Sequence, residues 1–143
     1  MREILFRGKR ADNGEWIEGS FTQDRDLEIC SIDYFEYYYD DGGLQRDFCQ
    51  YEVDPTTVGQ YTGLPDKNGK KIFEGDIVRG YNTFHEREEQ YVSAWEGNGF
   101  YLFDDCGSGW HPEHIAKPEV IGNITDNPEL LKGDNNDDEV LSM

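Results

Sequence analysis

The sequence predicts a mainly β protein made of short-stranded hairpins, with one short helix near the C-terminus. Apolar residues occur in short runs that are separated by Asn-Gly and other glycine-containing turns, the pattern expected of hairpins. Aromatic residues make up 14% of the chain, and they favour strands. The 143 residues suit one domain. We expect this domain over residues 1–131, in two compact sub-blocks (1–57 and 58–131), with an acidic flexible tail at 132–143.

The first sub-block begins with a predicted hairpin. Residues 4–9 and 15–21 are separated by Asp12, Asn13 and Gly14, and Asn-Gly supplies the positive φ angles that a tight hairpin turn needs. Aromatic-rich residues 34–39, a turn at 40–43 and residues 48–51 favour two further strands.

The second sub-block predicts a small SH3-like barrel. A polar turn at residues 65–70 leads into a strand at 71–73, and the bend at Glu74, Gly75 and Asp76 opens a strand at 77–79. Small SH3-like barrels often open a strand in this way, because the glycine makes the bend and the aspartate binds the backbone of the turn. A hairpin follows over residues 91–95 and 100–103, and then a closing strand over 119–124.

One short helix should begin at Asn127, because its side chain can cap the first turn, Pro128 suits the first helical position and Glu129 faces the positive end of the dipole. The predicted strands alternate with turns, so their apolar residues are the expected core. We predict burial of ten of them: Trp16, Ile17, Tyr61, Ile72, Phe73, Ile77, Val78, Trp95, Val120 and Ile121.

Seven short motifs, taken in order, make the chain resemble the YopX family of proteins from tailed phages and prophages. They are Phe6-Arg7-Gly8, Trp16-Ile17, and residues 60–64, 66–70, 74–78, 120–124 and 127–131. The resemblance implies a phage or prophage gene product, a mainly β fold and a tendency to self-associate. It implies no activity, because the family has none established to transfer.

The formal net charge of −18 is unevenly distributed. Residues 24–54 carry two basic and ten acidic side chains, a net −8, and residues 86–143 carry three and fourteen, a net −11. Such a field repels phosphate backbones, so we expect no direct nucleic-acid binding. An acidic surface could instead meet a basic host or phage protein, although solubility is the simpler reason for such charge. The one basic patch, Lys67, Lys70 and Lys71, is expected to aid solubility.

Composition also suggests a compartment. No run approaches the roughly 18 apolar residues of a membrane span, and the N-terminus lacks a signal-peptide segment. Cys30, Cys49 and Cys106 show no CxxC spacing, which suits reduced thiols. We therefore expect a cytoplasmic protein in a bacterial host cell, with no membrane partner.

The strongest candidates for chemistry are Cys106, His111 and His114, with Asp104 and Asp105 just before them. A thiolate and two imidazoles could bind zinc. However, Pro112 prevents a regular helix from presenting both histidines on one face, so surface histidines in a loop are the favoured interpretation. A Cys/His catalytic pair would also need an orienting carboxylate and an oxyanion donor. We expect no metal, no cofactor and no enzymatic activity.

Three functions remain in order of preference. The first is a non-enzymatic phage or prophage accessory protein that acts by protein association, as a homo-oligomer or with a host factor. The second is an acidic nucleic-acid mimic that blocks a basic DNA-binding groove of a host protein. The third is a metal-dependent enzyme.

Overall fold

A computed structural model describes residues 3–132 and confirms the mainly β fold. Two antiparallel sheets account for most of these residues, and one helix of four residues, α1 (Glu129–Lys132), ends the described part. The predicted acidic tail lies outside the described residues, except for Lys132. The chain divides into an N-terminal unit, which ends at Tyr61, and a C-terminal unit, which starts at Thr62. The predicted division was between residues 57 and 58.

The N-terminal unit is a meander of strands followed by a return to the first. Strands β1 (Phe6–Lys9), β2 (Trp16–Asp24), β3 (Ile29–Asp40), β4 (Gly43–Glu52) and the first residues of β5 (Gly59–Pro65) lie in the order β4-β3-β2-β1-β5, and β5 continues into the C-terminal unit. The predicted hairpin of β1 and β2 is confirmed, with Gly14 at a φ of 74°. Asp54 caps a short 3₁₀ turn at Pro55–Thr57 by accepting a hydrogen bond from the Thr56 N–H.

The core of this unit is small and centred on β3. Ile32, Val53 and Cys30 are buried, and Phe6, Ile17, Phe21 and Val58 pack against them. The rings of Phe6 and Phe21 are 5.5 Å apart between centroids. The hairpin of β3 and β4 extends beyond this core, because every residue of β3 after Phe35 is exposed.

The C-terminal unit contains β6 (Lys71–Phe73), β7 (Asp76–Asn82), β8 (Arg87–Glu96), β9 (Gly99–Phe103), β10 (Gly109–Trp110) and β11 (Ile115–Asn123). Strand β6 neighbours β5 in the sheet order, and the other five form a sheet in the order β10-β9-β8-β7-β11. A 3₁₀ turn, Pro112–His114, precedes β11. This strand order, with a 3₁₀ turn before the last strand, is that of a small SH3-like barrel, as predicted.

The core of the C-terminal unit is formed by Ile72, Val78, Tyr91, Leu102 and Ile115. None of the helical segments in residues 3–132 has the length and apolar character that a membrane-spanning helix requires.

Two aspartates in the C-terminal unit turn their carboxylates into the fold. Asp76 is almost fully buried and accepts a hydrogen bond from the Phe73 N–H at 2.7 Å, across a bend in which Gly75 has a φ of 88°. This is the role predicted from the Gly-Asp pair. Asp66 is also buried. Each carboxylate compensates for its own burial by satisfying backbone donors, which is what burial of a charge requires.

Of the ten residues predicted to be buried, five are buried, four are half-buried and one is exposed. Five residues are buried as predicted: Tyr61, Ile72, Phe73, Ile77 and Val78. Trp16, Ile17, Val120 and Ile121 are half-buried. Trp95 is wrong, since 45% of it is exposed. It stands at the end of β8 beside the turn to β9, past the core residue Tyr91, and packs edge-on against Phe100 with 4.8 Å between ring centroids.

The first prediction concerns Asp66, whose Oδ1 accepts from the N–H groups of Asn68 and Lys70 and whose Oδ2 accepts from the N–H of Val120, at 2.8–3.0 Å. Burial alone would raise the pKa of this carboxyl, but the backbone hydrogen bonds outweigh burial and hold its pKa below the ordinary value. Asp66→Asn places an NH₂ group opposite a backbone N–H. We expect the free energy of unfolding at pH 7 to fall by about 1–3 kcal/mol.

Because the folded-state pKa is lowered, the contribution of Asp66 is present above the unfolded-state pKa of about 4 and is lost as the pH falls through the folded-state value. The difference in the free energy of unfolding between wild type and Asp66→Asn should therefore become smaller below about pH 4. Urea denaturation at a series of pH values measures this difference. Glu96→Gln, which changes an exposed carboxylate at the end of β8, is the control. An equal gap at pH 7 and pH 3 would contradict this account.

Candidate functional site

The predicted residues Cys106, His111 and His114 do not form one cluster in the structure. Among residues 3–132, Asp104, Asp105 and Cys106 are the one set of at least three possible metal-ligating side chains whose ligand atoms lie within 4.8 Å of one another. The histidines lie outside this set. The ring of His111 packs on Tyr101 at 4.9 Å between centroids, and 6.3 Å separates the rings of His111 and His114.

The Asp104 carboxylate shapes the turn that holds Cys106. Its Oδ1 accepts from the N–H groups of Cys106 and Ser108, at 3.0 and 2.9 Å, and its Oδ2 accepts from the Trp110 indole N–H at 3.0 Å. The negative charge of Asp105, with its hydrogen bond and the charge of Asp104, raises the pKa of the Cys106 thiol. A higher thiol pKa disfavours the thiolate that a cysteine nucleophile needs.

A polar network on β7 and β8 was missed by the sequence analysis. Glu89 Oε1 accepts from His85 Nδ1 at 2.7 Å and from the Tyr91 hydroxyl at 3.0 Å, and Arg87 pairs with Oε2 at 2.9 Å. Asn82 donates to the Tyr91 oxygen at 3.1 Å. The alternate positions of Arg87, Glu89 and Tyr91 put them on one face of a strand, and that spacing is the sequence signal that could have indicated the network.

The network shifts the pKa values of Tyr91 and Glu89, and its side chains form hydrogen bonds with one another and with the backbone of the turn. Burial raises the pKa of the Tyr91 phenol to about 12, so the phenol stays protonated and donates to Glu89. Burial alone would raise the pKa of Glu89, but the bonds from His85, Arg87 and Tyr91 outweigh it and lower that pKa. Asn82 Oδ1 also accepts from the N–H groups of Phe84 and His85, both at 2.8 Å. The network therefore holds the turn between β7 and β8.

The N-terminal unit carries an exposed apolar surface on the β3–β4 hairpin. The two strands pair without a break from Ser31↔Glu52 to Asp40↔Gly43. Asp40 Oδ1 accepts from the Gly42 N–H at 2.8 Å, and Gly43 has a φ of 96°. This turn sets the register, so that Phe35 faces Phe48 and Tyr39 faces Leu44.

Alternation along the strands puts five large apolar side chains on one face, which we call the hairpin face: Phe35, Tyr37, Tyr39, Leu44 and Phe48. All five are exposed, from 42% for Phe35 to 81% for Tyr39. The buried Ile32 belongs to the opposite face of β3, so the hairpin face points away from the core.

Contacts within the hairpin face order its rings. Phe35 and Phe48 meet edge-on with 5.5 Å between centroids, and Phe35 also lies 6.5 Å from Tyr37. The Arg46 guanidinium lies over the Phe35 ring at 4.3 Å. Ring and cation–π contacts of this kind reduce side-chain freedom, so the surface is partly organised before any partner binds.

The hairpin is also acidic. Residues 29–52 contain Asp33, Glu36, Asp40, Asp41, Asp47 and Glu52 against one basic residue, Arg46, a net −5. The hairpin as a whole is therefore acidic, although Glu36 and Asp47 belong to the face opposite the hairpin face.

Comparisons with known proteins bear on the fold and the family. The model of the family described as YopX protein matches residues 5–132. A crystal structure of protein EF1440 from Enterococcus faecalis is similar, with a TM-score of 0.59 and 25% identity over 92% of this chain and 99% of that chain. No curated protein matches the sequence.

The second prediction tests the network on β7 and β8. Tyr91→Phe removes the hydroxyl that links Glu89 to Asn82 and leaves a buried amide without its acceptor. We expect the free energy of unfolding to fall by about 1–2 kcal/mol. Tyr101→Phe is the matched control, because its hydroxyl donates to Asn98 in an exposed bond of 3.1 Å, and it should change stability by less than about 0.5 kcal/mol. Equal stability of the two variants in urea denaturation would show that the network is not structural.

Proposed function

We propose that this chain, which belongs to the YopX family, acts by protein association through the hairpin face rather than by catalysis. The observation that carries the proposal is the alignment of five exposed apolar side chains on one face of a single hairpin. Contiguous exposed apolar patches on soluble proteins mark interaction sites. Aromatic residues are enriched at such sites because they bury much area with few rotatable bonds.

The position of the hairpin in its sheet supports the proposal. β4 is the terminal strand of the order β4-β3-β2-β1-β5, so one side of its backbone can accept a strand from a partner. Covering one large apolar side chain contributes about 1.5–3 kcal/mol. Two or three such side chains in a partner's pocket would supply the centre of an interface.

The charge of the hairpin indicates what the partner offers. A net −5 over residues 29–52 attracts a surface with positive charge and repels a second acidic hairpin. A nucleic-acid mimic would instead need carboxylates at phosphate-like intervals, whereas rings dominate the hairpin face. Origin in a phage or prophage, and action in the host cytoplasm, belong to the same proposal and rest on the family resemblance.

The third prediction tests the hairpin face. Leu44→Ser with Phe48→Ser removes two of its apolar side chains. The control, Leu27→Ser with Tyr38→Ser, removes an exposed leucine from the β2–β3 turn and an exposed ring from the opposite face of the hairpin. We expect association to weaken at least about tenfold in the first variant, which equals 1.4 kcal/mol, and less than about twofold in the control.

Sedimentation at micromolar concentrations measures self-association, and capture from a host extract with each protein as bait measures association with other partners. Circular dichroism confirms that each variant is folded. A wild-type chain that sediments at 16.6 kDa and retains no partner would contradict the proposal. So would partners that all three baits retain equally.

The fourth prediction concerns three acidic residues of the hairpin, two at its turn and Asp47 on the face opposite the hairpin face. Asp40→Asn, Asp41→Asn and Asp47→Asn together should slow association several-fold while the dissociation rate stays nearly constant, because charges at the rim of an interface act mainly on encounter. A threefold rise in salt should slow the wild type in the same way. Glu3→Gln, Glu18→Gln and Asp26→Asn form the control, with the same change in net charge in exposed positions outside the hairpin. If stopped-flow kinetics show the same association rate for the first variant and the wild type, these acids do not act in binding, and solubility is their role.

A further inference from the structure

We infer that a pocket at the base of the β3–β4 hairpin holds a lysine or arginine side chain of the protein that the hairpin face binds. The pocket has a volume of about 360 Å³ and is lined by residues of β2, β3, β4 and the β2–β3 turn. This inference rests on the proposed function and names the kind of residue that anchors its partner.

The pocket opens on the same side of the sheet as the hairpin face. Ser31 and Glu52 line it and pair with each other, and Phe35 and Phe48 form a pair further along the same two strands. Gln50, which also lines the pocket, lies between Glu52 and Phe48 on β4. Because side chains alternate and two residues rise about 7 Å, the pocket continues directly into the rings of the hairpin face.

Two carboxylates contribute to the pocket from opposite sides. Asp24 stands at the end of β2 and Glu52 at the end of β4, with β3 between these strands. Neighbouring strands are about 4.8 Å apart, so a cation above β3 would be within side-chain reach of both acids. Ile29 of β3 and Leu27 of the turn add apolar lining, and Leu27 is 66% exposed. Lysine and arginine suit such a pocket, since their apolar stems pack on apolar surface while their charged ends stay polar.

The negative charge of the pocket is available to a ligand. Within residues 3–132, neither Asp24 nor Glu52 belongs to a salt bridge, and the Glu52 side chain forms no hydrogen bond. Asp24 Oδ1 accepts from the N–H groups of Asp26 and Leu27, at 3.0 and 3.1 Å, which leaves Oδ2 for a partner's cation. Arg25 of the same turn is exposed and does not line the pocket.

Further acceptors complete the pocket. Asp33 accepts from the hydroxyl groups of Thr22 and Ser31, at 2.9 and 3.1 Å. Its carboxylate therefore orients two lining side chains and adds negative charge beside them. The Gln50 side chain lines the pocket and forms no hydrogen bond within residues 3–132, so its carbonyl oxygen can accept one from an ammonium or a guanidinium group.

Arg46 directs the cation of a partner to this pocket rather than to the rings. Its guanidinium already lies over the Phe35 ring at 4.3 Å, in the middle of the hairpin face. A second cation over these rings would be repelled by Arg46, whereas an apolar side chain would not. We therefore expect the partner to place apolar side chains on the rings and its basic side chain in the pocket.

An extended segment that adds to the free side of β4 would present this order of side chains. On the side of the hairpin face its side chains would recur at every second position, as Glu52, Gln50 and Phe48 do along β4. The basic residue of the partner should therefore stand two or four positions from the first of its apolar residues.

Selection from a displayed library of random peptides tests the inference on the whole chain. Peptides enriched on the wild type should carry lysine or arginine at that spacing from apolar residues. The pocket variant is Asp24→Asn with Glu52→Gln, in which asparagine keeps the Oδ1 that accepts from the turn. It should enrich apolar residues without the basic one. The control, Asp26→Asn with Glu28→Gln, makes the same charge change in exposed positions of the same turn outside the pocket lining and should select like the wild type.

A pair of synthetic peptides then measures the contribution of the charge. The most enriched sequence is made with arginine and with citrulline at the anchoring position, because citrulline keeps the shape of arginine and lacks its charge. We expect citrulline to weaken binding to the wild type and the control at least about tenfold. In the pocket variant the same exchange should change the Kd less than about twofold. Fluorescence anisotropy measures each Kd, and circular dichroism checks that the variants are folded.

The outcomes separate the inference from the proposed function. Enriched peptides that lack a basic residue, or a citrulline effect of equal size in the pocket variant, overturn the inference. Association through the hairpin face then stands if Leu44→Ser with Phe48→Ser still abolishes peptide binding. A basic preference that is lost in Asp40→Asn with Asp41→Asn but kept in the pocket variant places the cation at the hairpin turn, and also overturns the inference.

A library that yields no enriched peptide overturns the inference as well, because no extended segment then docks on the hairpin. Capture of a folded partner from a host extract that depends on the hairpin face would still support the proposed function. Peptides that bind equally well to the wild type, the pocket variant and Leu44→Ser with Phe48→Ser would contradict both.

Discussion

The buried position of Ile32 is the constraint on which the hairpin face of the N-terminal unit depends. Side chains alternate along a strand, so the burial of Ile32 at the centre of the small core directs Phe35, Tyr37 and Tyr39 to the other face. The unbroken pairing of β3 with β4 then aligns Phe48 with Phe35. A slip of one residue in either strand would turn the rings of that strand to the other face and break up the hairpin face.

Asp66 has a comparable role in the C-terminal unit, although it acts through hydrogen bonds to backbone N–H groups rather than through side-chain packing. Its carboxylate joins the β5–β6 turn to β11 by accepting from Lys70 and Val120. These bonds add to the backbone hydrogen bonds that close the turn, which include Asp66 N–H to the Lys70 carbonyl at 2.7 Å and Gly69 N–H to the Asp66 carbonyl at 3.0 Å. One buried acid thus helps to fix the turn that carries Lys67, Lys70 and Lys71, and its carboxylate also interacts with the Lys70 charge.

The parts of the fold that local chemistry decides were predictable. Asn13-Gly14 and the Gly75-Asp76 bend each specify a turn with few alternatives. A helix does follow Asn127, but the predicted side-chain cap is wrong, because Asn127 Oδ1 accepts from the Asn123 N–H at 3.1 Å. The hairpin face was not predictable, because nearly every residue from Tyr34 to Tyr39 is aromatic and the alternation that normally separates core from surface is absent. Trp95 failed for a related reason, since an apolar strand pattern does not say where the core ends along the strand.

The three side chains considered as zinc ligands, Cys106, His111 and His114, are close in sequence but do not form one cluster in the structure. Cys106 follows Asp104 and Asp105 in one turn, so the acids are its neighbours, whereas His111 and His114 lie beyond Trp110, whose indole is bonded to Asp104. Spacing along a sequence cannot show which way a turn closes. The network around Glu89 was missed because it depends on the pairing of β7 with β8, which brings Asn82 within hydrogen-bond distance of Tyr91.

The coexistence of exposed rings and strong negative charge can be understood as a single arrangement. A terminal strand with apolar neighbours is a risk for aggregation, and proteins limit that risk with charges on the edge. β4 carries Arg46, Asp47 and Glu52, and the net −8 of residues 24–54 extends the repulsion between copies. Repulsion of this kind acts over about 10 Å at moderate salt, further than apolar contact. In the proposed association the acids would therefore act on an approaching surface before the rings, because charge is felt at distances where apolar contact is not.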